Sequence, residues 1–393
     1  MAELSATLDE VVRREKGRVV GGLVRLLGNL DAAEEAFQDA VVAALATWPG
    51  SGTPANPAAW LTSTARNRAR DVARHRKVMH AKAPLLAEDE VMPATTIEAV
   101  SDDELRLIFT CCHPELTLES QVALTLKVVA GLSTPQIARA FLAEDKTIGQ
   151  RISRAKATIE AKQLRYEVPD RAELPQRLAS VLAVIYLVFN EGHANRDDEL
   201  QREALRLARG LCDLLPREPE PFGVVALIAF SLARAATRTD EAGDVLLLAQ
   251  QDRARWDRPL IKEGLMALAR AHRLGGRGTY VLQAELAACH AVAGSWDETD
   301  WAAILRTYDE LYALSGSPVV ALNRTVAVAM VLGPQEALAA LAPLEEPLAR
   351  YHLFYATRAD FRRRLGQDPR ADYEQALELA PSEADRKFLR KQM

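Results

Sequence analysis

Apolar residues recur at helical spacing along most of this 393-residue chain, in segments that glycine and proline separate. Between residues 176 and 393, no strand-like alternation interrupts that pattern. Alanine, leucine and arginine are abundant, whereas aromatic residues make up only 6%, which favours helices over strands. Because domains usually hold roughly 100–200 residues, we predict an all-α protein with several helical domains.

The first predicted helix, over residues 8–30, contains two adjacent glycines, Gly21 and Gly22. Glycine destabilises helix interiors, so we predict a break at this point. Asp31 is the predicted N-cap of the next helix. The proline- and glycine-rich residues 49–57 are predicted to form the loop that follows.

The far end of the chain has the pattern of two paired helices, predicted over residues 351–365 and 369–380. Tyr373, Ala376 and Pro381 have the spacing of the second helix of a tetratricopeptide repeat (TPR). We therefore predict a TPR-like helical domain in this region, with an ordinary helical bundle as the alternative.

Residues 117–161 have the pattern of three short helices joined by tight turns. Gly131 ends the first predicted helix, and Thr134 with Pro135 starts the second as N-cap and first helical residue. Asp145 is the predicted cap of the third helix, in which apolar residues recur every three or four positions. This layout is that of a helix-turn-helix, whose last helix enters the major groove of DNA.

The solvent face of that third helix carries side chains suited to DNA. Arginine and glutamine pair with guanine and adenine, and lysine adds attraction to phosphates. A solvated basic face without a DNA-binding role is the alternative. The candidate DNA-binding residues on this helix are Lys146, Thr147, Gln150, Arg151, Ser153, Arg154 and Lys156.

A second basic helix is predicted over residues 60–77. Three of its arginines recur four residues apart and therefore share one face. Basic side chains beside an aromatic ring suit single-stranded or melted DNA, in which bases are free to stack. A solvated basic face, with the tryptophan in the core, is the alternative. The candidates here are Trp60, Arg66, Asn67, Arg70 and Arg74.

The chain as a whole is acidic, with a formal net charge of −5. Nucleic-acid binding must therefore rest on these local basic surfaces. No basic residue falls between Lys82 and Arg106, whereas acidic residues are frequent there. We predict an acidic linker over residues 79–101, between the two basic helical regions.

The four cysteines show no chelating pattern, since no Cys-x-x-Cys occurs. We interpret Cys111 and Cys112 as buried thiols of a helix, with metal ligation together with His113 as the alternative. Glu191 and His193 likewise lack a further ligand at chelating spacing. No nucleophile–base pair is evident, so we predict no cofactor, no metal and no enzymatic activity.

The predicted location of the protein is the cytoplasm. Residues 1–17 lack the apolar core of a signal peptide, and the most apolar stretch, residues 178–189, is too short to span a bilayer. Few cysteines in a long chain suit a reducing compartment. We therefore expect no membrane partner.

Several of these motifs resemble those of bacterial sigma factors. Residues 31–40 resemble conserved region 2, where sigma factors bind the polymerase clamp, and residues 56–71 resemble the part that recognises and melts the −10 element. Residues 131–140 and 151–156 resemble region 4, which recognises the −35 element. Further resemblance to the extracytoplasmic-function (ECF) subgroup with a TPR-like extension lies in residues 105–114, 189–193, 251–258 and 318–323.

The resemblance implies a domain order of region 2 over residues 1–78, region 4 over residues 102–165 and a TPR-like regulatory domain over residues 176–393. The implied partners are promoter DNA and core RNA polymerase, through its β′ clamp helices and β flap. The regulatory domain is expected to contact the sigma core, with a separate protein regulator as an alternative. The residues implied to bind the polymerase are Asp31, Glu34, Glu35, Gln38 and Asp39.

Two other classes remain open. A helix-turn-helix regulator with a C-terminal sensing or scaffold domain would bind duplex DNA without core polymerase, typically as a dimer. A repeat scaffold would carry its basic helices incidentally. Two separate basic helices joined by an acidic linker favour the sigma factor, and co-purification with core polymerase distinguishes the three classes.

Overall fold

The computed structural model of the chain describes residues 2–80, 97–141, 143–194, 197–240, 244, 246–381 and 383–393. These residues form α-helices and short 3-10 turns without a β-strand, which confirms the all-α prediction. Most of the predicted acidic linker, residues 81–96, lies outside the described part. The packing divides the chain into two compact units, residues 1–214 and 215–393.

The first unit begins with three helices that pack on one another, α1 (Ala2–Leu27), α2 (Leu30–Ser51) and α3 (Pro57–His80). Asn29 is the N-cap of α2, and its Oδ1 accepts a hydrogen bond from the amide of Ala32 at 2.9 Å. Asp31, which was predicted as the N-cap, lies two residues later, in the first turn of α2. Side chains at the centre of this bundle include Val20, Leu23, Phe37, Trp48 and Leu61, each at most 2% exposed.

The predicted break at the glycine pair in α1 is wrong, because the helix is continuous through Gly21. This glycine is required by close packing against α4 (Ile97–Cys111): a Cβ at Gly21 would lie 2.5 Å from the carbonyl oxygen of Asp103. The buried carboxylate of Asp103 pairs with Arg25 at 3.1 Å and with Arg106 at 3.5 Å. The glycine thus lets two helices approach instead of ending one.

The predicted helix-turn-helix is confirmed in α5 (Leu118–Val128), α6 (Thr134–Ala140) and α7 (Asp145–Ala161). α7 packs on both α5 and α6 through one apolar face. The residues of that face, all buried, are Ile148, Ile152, Ala155 and Ile159.

The start of α6 is fixed one residue earlier than predicted. Ser133, and not Thr134, is the N-cap: the amide of Ser133 donates to Gln136 Oε1 at 2.7 Å, and Ser133 Oγ accepts from the amide of Gln136 at 3.4 Å. This reciprocal pair is a capping box. Pro135 lies in the first turn, as predicted.

Two further helices, α8 (Leu174–Ala194) and α9 (Asp198–Leu214), complete the first unit. The compact units therefore divide at residues 214–215, later than the domain boundary predicted at residue 176. α8 packs on α4 and α5, and the guanidinium of Arg177 donates to the carbonyl oxygen of Phe109 at 2.9 Å. These contacts hold α8 in the first unit.

The second unit is a series of helices in which neighbours along the chain pack on each other. Its helices are α10 (Pro219–Ala233), α11 (Arg258–Arg273), α12 (Thr279–Val292), α13 (Trp301–Ser315), α14 (Pro318–Val331), α15 (Pro334–Leu341), α16 (His352–Arg364), α17 (Arg370–Leu379) and α18 (Glu383–Gln392). The helix pair predicted at the end of the chain is α16 and α17, with Gly366 in the left-handed region at the turn. Serial packing of helix pairs is the arrangement of a TPR-like domain.

The most apolar segment of the second unit is residues 219–237. It is long and apolar enough to cross a membrane by length and composition alone, yet 56% of its apolar window is buried. α10, within this segment, packs on α11 and α12 in a core that contains Phe230 and Trp256. Burial in this core accounts for the apolar composition of α10.

Candidate nucleic-acid interface

The basic face of α3 points to solvent because the opposite face of the helix is apolar and packs in the core. Leu61, Ala65 and Ala69 recur every four residues and are 0% exposed, which directs the opposite side of the helix outward. Of the candidate side chains on that side, Asn67, Arg70 and Arg74 are exposed, and Arg66 is half-buried.

The aromatic candidate on α3 is anchored by the core. Trp60 is half-buried, and its ring meets the ring of Trp48 edge to face, with centroids 5.5 Å apart. Trp48 itself is 2% exposed. The core alternative therefore accounts for one side of the Trp60 ring.

The candidate DNA-reading helix, α7, exposes Lys146, Gln150, Ser153 and Arg154. Thr147, Arg151 and Lys156 are half-buried. The exposed side chains are concentrated in the first three turns of the helix, where a recognition helix meets base edges.

The residues predicted to bind polymerase fall into two groups. Asp31, Glu35, Gln38 and Asp39 are exposed along α2, whereas Glu34 is only 5% exposed. The buried carboxylate is held by two lysines: Glu34 Oε1 is 3.0 Å from the Nζ of Lys16, and its Oε2 is 2.7 Å from the Nζ of Lys156.

Lys156 links the two predicted surfaces. Its Nζ also lies 2.5 Å from Asp31 Oδ1, so a candidate DNA-binding side chain is paired with two candidate polymerase-binding side chains. Lys16 in turn donates to the carbonyl oxygen of Lys127 on α5 at 2.7 Å. We call the side chains of Lys16, Asp31, Glu34 and Lys156 the ionic cluster.

The charges around Glu34 favour the ionised form of its carboxyl group. Burial by itself would raise the pKa of this carboxyl, but the ammonium groups of Lys16 and Lys156 outweigh burial and lower the pKa below its usual value. Burial likewise opposes the charge of Lys156, yet Glu34 and Asp31 raise its pKa. At Lys16 burial prevails over Glu34 and lowers the pKa.

Lys16 was not among the sequence-predicted site residues. It occupies α1 four residues before the buried Val20 and seven before the buried Leu23. A lysine within an apolar helix face requires an acidic partner or a carbonyl when buried, and this pattern could have indicated the contact.

Cys111 and Cys112 are both buried, as the thiol interpretation predicts. Burial raises the pKa of Cys112 to about 12, and its Sγ lies 3.4 Å from Thr125 Oγ1. Within the described residues, no group of three or more His, Cys, Asp or Glu side chains is placed to hold a metal.

Three known families match segments of the chain. The family described as sigma-70 region 2 matches residues 11–78, and that described as sigma-70, region 4, matches residues 106–159. A family of unknown function, DUF6596, matches residues 177–272. An uncharacterized protein of Rhizobium meliloti (strain 1021) is 40% identical over 401 residues, covering 98% of this chain and 95% of that protein.

The chain belongs to the sigma-70 family. It is a sigma factor of the ECF type, with region 2 and region 4 followed by a C-terminal helical extension. Among solved structures, yeast Tom70 is similar over 99% of this chain and 84% of that one, at 11% identity and a TM-score of 0.38.

In this sigma factor, the ionic cluster joins the two conserved regions. Lys16, Asp31 and Glu34 lie in the region 2 match, whereas Lys156 lies in the region 4 match. The region 2 match covers α3 as far as residue 78 and includes Arg66, Arg70 and Arg74 of its basic face. The extension that matches DUF6596 begins in α8 of the first unit and continues into α11 of the second.

Proposed function

We propose that the protein binds core RNA polymerase in the cytoplasm and directs it to promoters by contacting the −10 element with α3 and the −35 element with α7. The observation that carries the proposal is the pair of outward basic faces, one in each sigma region. Asn67, Arg70 and Arg74 are exposed on the first, and Gln150 and Arg154 on the second.

The chemistry of the two faces suits different forms of DNA. Arginines spaced one turn apart contact successive phosphates of an opened strand, and Trp60 offers the free part of its ring for stacking. Gln150 and Arg154 lie one turn apart on α7, within reach of adjacent base edges in a major groove.

We further propose that the exposed acidic face of α2 docks on the β′ clamp helices. Glu35, Gln38 and Asp39 are the outward members of this face, with Asp31 at its start. Glu34 reaches the clamp only when its contact with Lys156 opens. Region 4 would also meet the β flap, and the second unit would regulate the assembled sigma core.

Run-off transcription with purified core polymerase tests the proposal, with the DNA upstream of the protein's own gene as template. We expect specific transcripts that fall at least tenfold in Arg70→Ala/Arg74→Ala and in Gln150→Ala/Arg154→Ala. Arg68→Ala, an exposed arginine outside the proposed set on the same helix, and Arg165→Ala are the matched controls.

The helix-turn-helix geometry of α5 to α7 favours a second candidate function, that of a regulator which binds duplex DNA without polymerase. That candidate predicts tight binding to duplex DNA without core enzyme and no loss when Arg70 and Arg74 are replaced. The proposed sigma function predicts the opposite on both counts.

A further inference from the structure

A cavity of about 530 Å³ lies within the second unit, apart from the surfaces assigned to DNA and polymerase. This size is in the range of sites for small molecules. Helices α12, α13, α14, α16, α17 and α18 contribute to its wall. Nothing in the proposed sigma function uses it.

One wall of the cavity is aromatic. The rings of Trp296 and Trp301 meet edge to face with centroids 4.7 Å apart, and His290 lies 5.3 Å from Trp301 and 6.3 Å from Trp296. Tyr308 and Phe361 extend this lining. Such a wall favours a planar ring, which packs on aromatic faces and edges.

Two buried nitrogen atoms of this wall lack a hydrogen-bond partner among the described residues, Trp301 Nε1 and His290 Nδ1. Buried polar atoms in folded proteins are nearly always paired with protein, water or a ligand, so these two nitrogen atoms can pair with a ligand that enters the cavity. Burial, with Arg234 and Arg253 nearby, lowers the pKa of His290 to about 4, so the imidazole is neutral at pH 7. Trp301 Nε1 can only donate, so a ligand atom that pairs with it must be an acceptor.

The other side of the cavity is cationic. Arg363 and Arg364 both line it, and both pair with one carboxylate, that of Asp360, at 2.6 Å and 2.8 Å. Two guanidinium groups against one carboxylate leave one positive charge uncompensated within this group. An anion that entered the cavity would find donors on these arginines.

We propose that this cavity binds a small planar aromatic carboxylate, whose ring packs on Trp296 and Trp301 and whose oxygens accept hydrogen bonds from Trp301 Nε1 and from Arg364. The ligand would bring the missing acceptor to the aromatic wall and a negative charge to the arginine pair. The second unit thereby becomes a ligand-binding domain.

α18 covers one side of the cavity through Phe388 and Leu389. The helix is tied across to Asp244 by Lys387 and by Lys391, the latter at 2.5 Å. These surface ion pairs are individually weak, so α18 can move aside to admit a ligand and close over it afterwards.

Fluorescence titration of the full chain with 2-naphthoate tests the site, because Trp296 and Trp301 would report occupancy directly. Matched probes are 2-naphthamide, which keeps the ring without the charge, and hexanoate, which keeps the charge without the ring. We expect saturable one-to-one binding of 2-naphthoate and at least tenfold weaker binding of both other probes.

Variants separate the proposed contacts from adventitious binding. Arg364→Gln should weaken 2-naphthoate at least tenfold without affecting 2-naphthamide, and Trp301→Phe, which removes the N–H but keeps an aromatic ring, should weaken both probes at least fivefold. Trp60→Phe and Arg350→Gln are the controls, and circular dichroism checks folding.

Absence of saturable binding, or equal binding to all variants, would overturn the proposal. If 2-naphthamide bound as tightly as 2-naphthoate, the carboxylate would not contribute to binding, and the proposal that the ligand is an anion would be wrong.

A second inference comes independently from the ionic cluster and rests on the proposed sigma function. Lys156 cannot contact a phosphate while it is bound to Asp31 and Glu34, and these two acids cannot contact the polymerase while bound to Lys156. We infer that the ionic cluster is an autoinhibitory latch that keeps region 2 and region 4 closed on each other. Core polymerase and promoter DNA would each compete for one side of it.

The latch is built so that opening does not unfold region 2. When Lys156 leaves, Glu34 keeps Lys16 as its partner, so the buried carboxylate of region 2 is not left unpaired. The hydrogen bond from Lys16 to the carbonyl oxygen of Lys127 also joins region 2 to region 4, and it opens together with the latch. Lys156 and Asp31 are the more exposed members, with side chains 20% and 65% exposed, and so form the part that exchanges with partners.

Distances between spin labels on α3 and α7 test the latch in the full chain. Ser63→Cys and Ser153→Cys, both at exposed positions, carry the labels in a Cys289→Ser background. We expect one narrow distribution for the free protein and a broader, longer one for Lys156→Gln, with Lys162→Gln as the control. The same distribution in Lys156→Gln and in the unsubstituted chain would overturn the latch. Because this comparison uses free protein, it remains decisive even if core polymerase fails to bind.

Discussion

The buried charges of the first unit and the aromatic wall of the cavity in the second unit differ in how their polar groups are paired. In the first, the buried charges Lys16, Glu34 and Asp103 all have charged partners within 3.5 Å. In the second, Trp301 Nε1 and His290 Nδ1 are buried without a partner among the described residues.

The difference separates a group of charges that is complete within the protein from an aromatic wall that can pair with a ligand. A buried ion pair costs stability when one member is lost, because the other is then left unpaired. A donor that is already unpaired loses nothing when it is removed and gains only when a ligand arrives. Variants at the two kinds of position should therefore behave differently.

The largest effect is expected for Lys16→Met. It removes the ammonium group that Glu34 retains on its buried side, and should lower the free energy of unfolding of the first unit by about 3 kcal/mol. Urea denaturation followed by circular dichroism measures it, with Arg18→Met, at a side chain 45% exposed, as the control. A loss below about 1 kcal/mol would mean that the pair contributes no more than a surface ion pair.

A matched pair of tryptophans sharpens the contrast within the second unit. Trp256 Nε1 donates to Thr237 Oγ1 at 2.9 Å, whereas Trp301 Nε1 has no partner among the described residues. Trp256→Phe should cost about 2 kcal/mol, from the lost hydrogen bond and the space left in the core. Trp301→Phe should cost less than half of that. Thermal unfolding without ligand compares them, and equal losses would contradict the distinction.

The pH dependence of the ionic cluster has a definite sign. Because the folded-state pKa of Glu34 is below its ordinary value of 4.5, its carboxylate stabilises the fold above the unfolded pKa. That contribution disappears as the pH falls through the folded pKa. The stability difference between the unsubstituted chain and Glu34→Gln should thus be largest near pH 7 and shrink towards pH 3. Urea midpoints across this range measure it, and a constant difference would show that Glu34 is not charged in the fold.

The smallest effect on the free energy of unfolding is expected at the capping box of α6. Its groups are paired but lie at the surface, so their loss can be compared with the loss of the buried pairs. Ser133→Ala should destabilise the protein by about 1 kcal/mol, since it removes the acceptor for the amide of Gln136. Thr134→Ala, at the residue predicted from sequence as the cap, should have less effect. If Thr134→Ala costs more, then the cap assignment is wrong.

Local patterns in the sequence were sufficient to predict the helices and the helix-turn-helix. The stripe Ile148, Ile152, Ala155 and Ile159 is visible at a spacing of three and four residues, and so is the outward face opposite it. The cap of α6 was missed by one residue, because Ser133 and Thr134 are both good caps and only the position of Gln136 selects between them.

Contacts between distant residues could not be predicted in this way. Lys156 and Asp31 are 125 residues apart, and no pattern in either segment names the other as its partner. The role of Gly21 depends on the backbone of Asp103, which reaches it only in the folded chain. The cavity is assembled from residues between Leu247 and Gln392, so its aromatic and cationic sides meet only after folding.

Titration of the fluorescently labelled full chain with purified core enzyme measures whether this sigma factor acts through core polymerase. The proposed sigma function predicts a saturable one-to-one complex, which Glu35→Lys/Asp39→Lys on the exposed face of α2 weakens at least tenfold and Glu160→Lys on the exposed side of α7 does not. Absence of a complex at micromolar core enzyme, or equal affinity of the α2 variant, would contradict it.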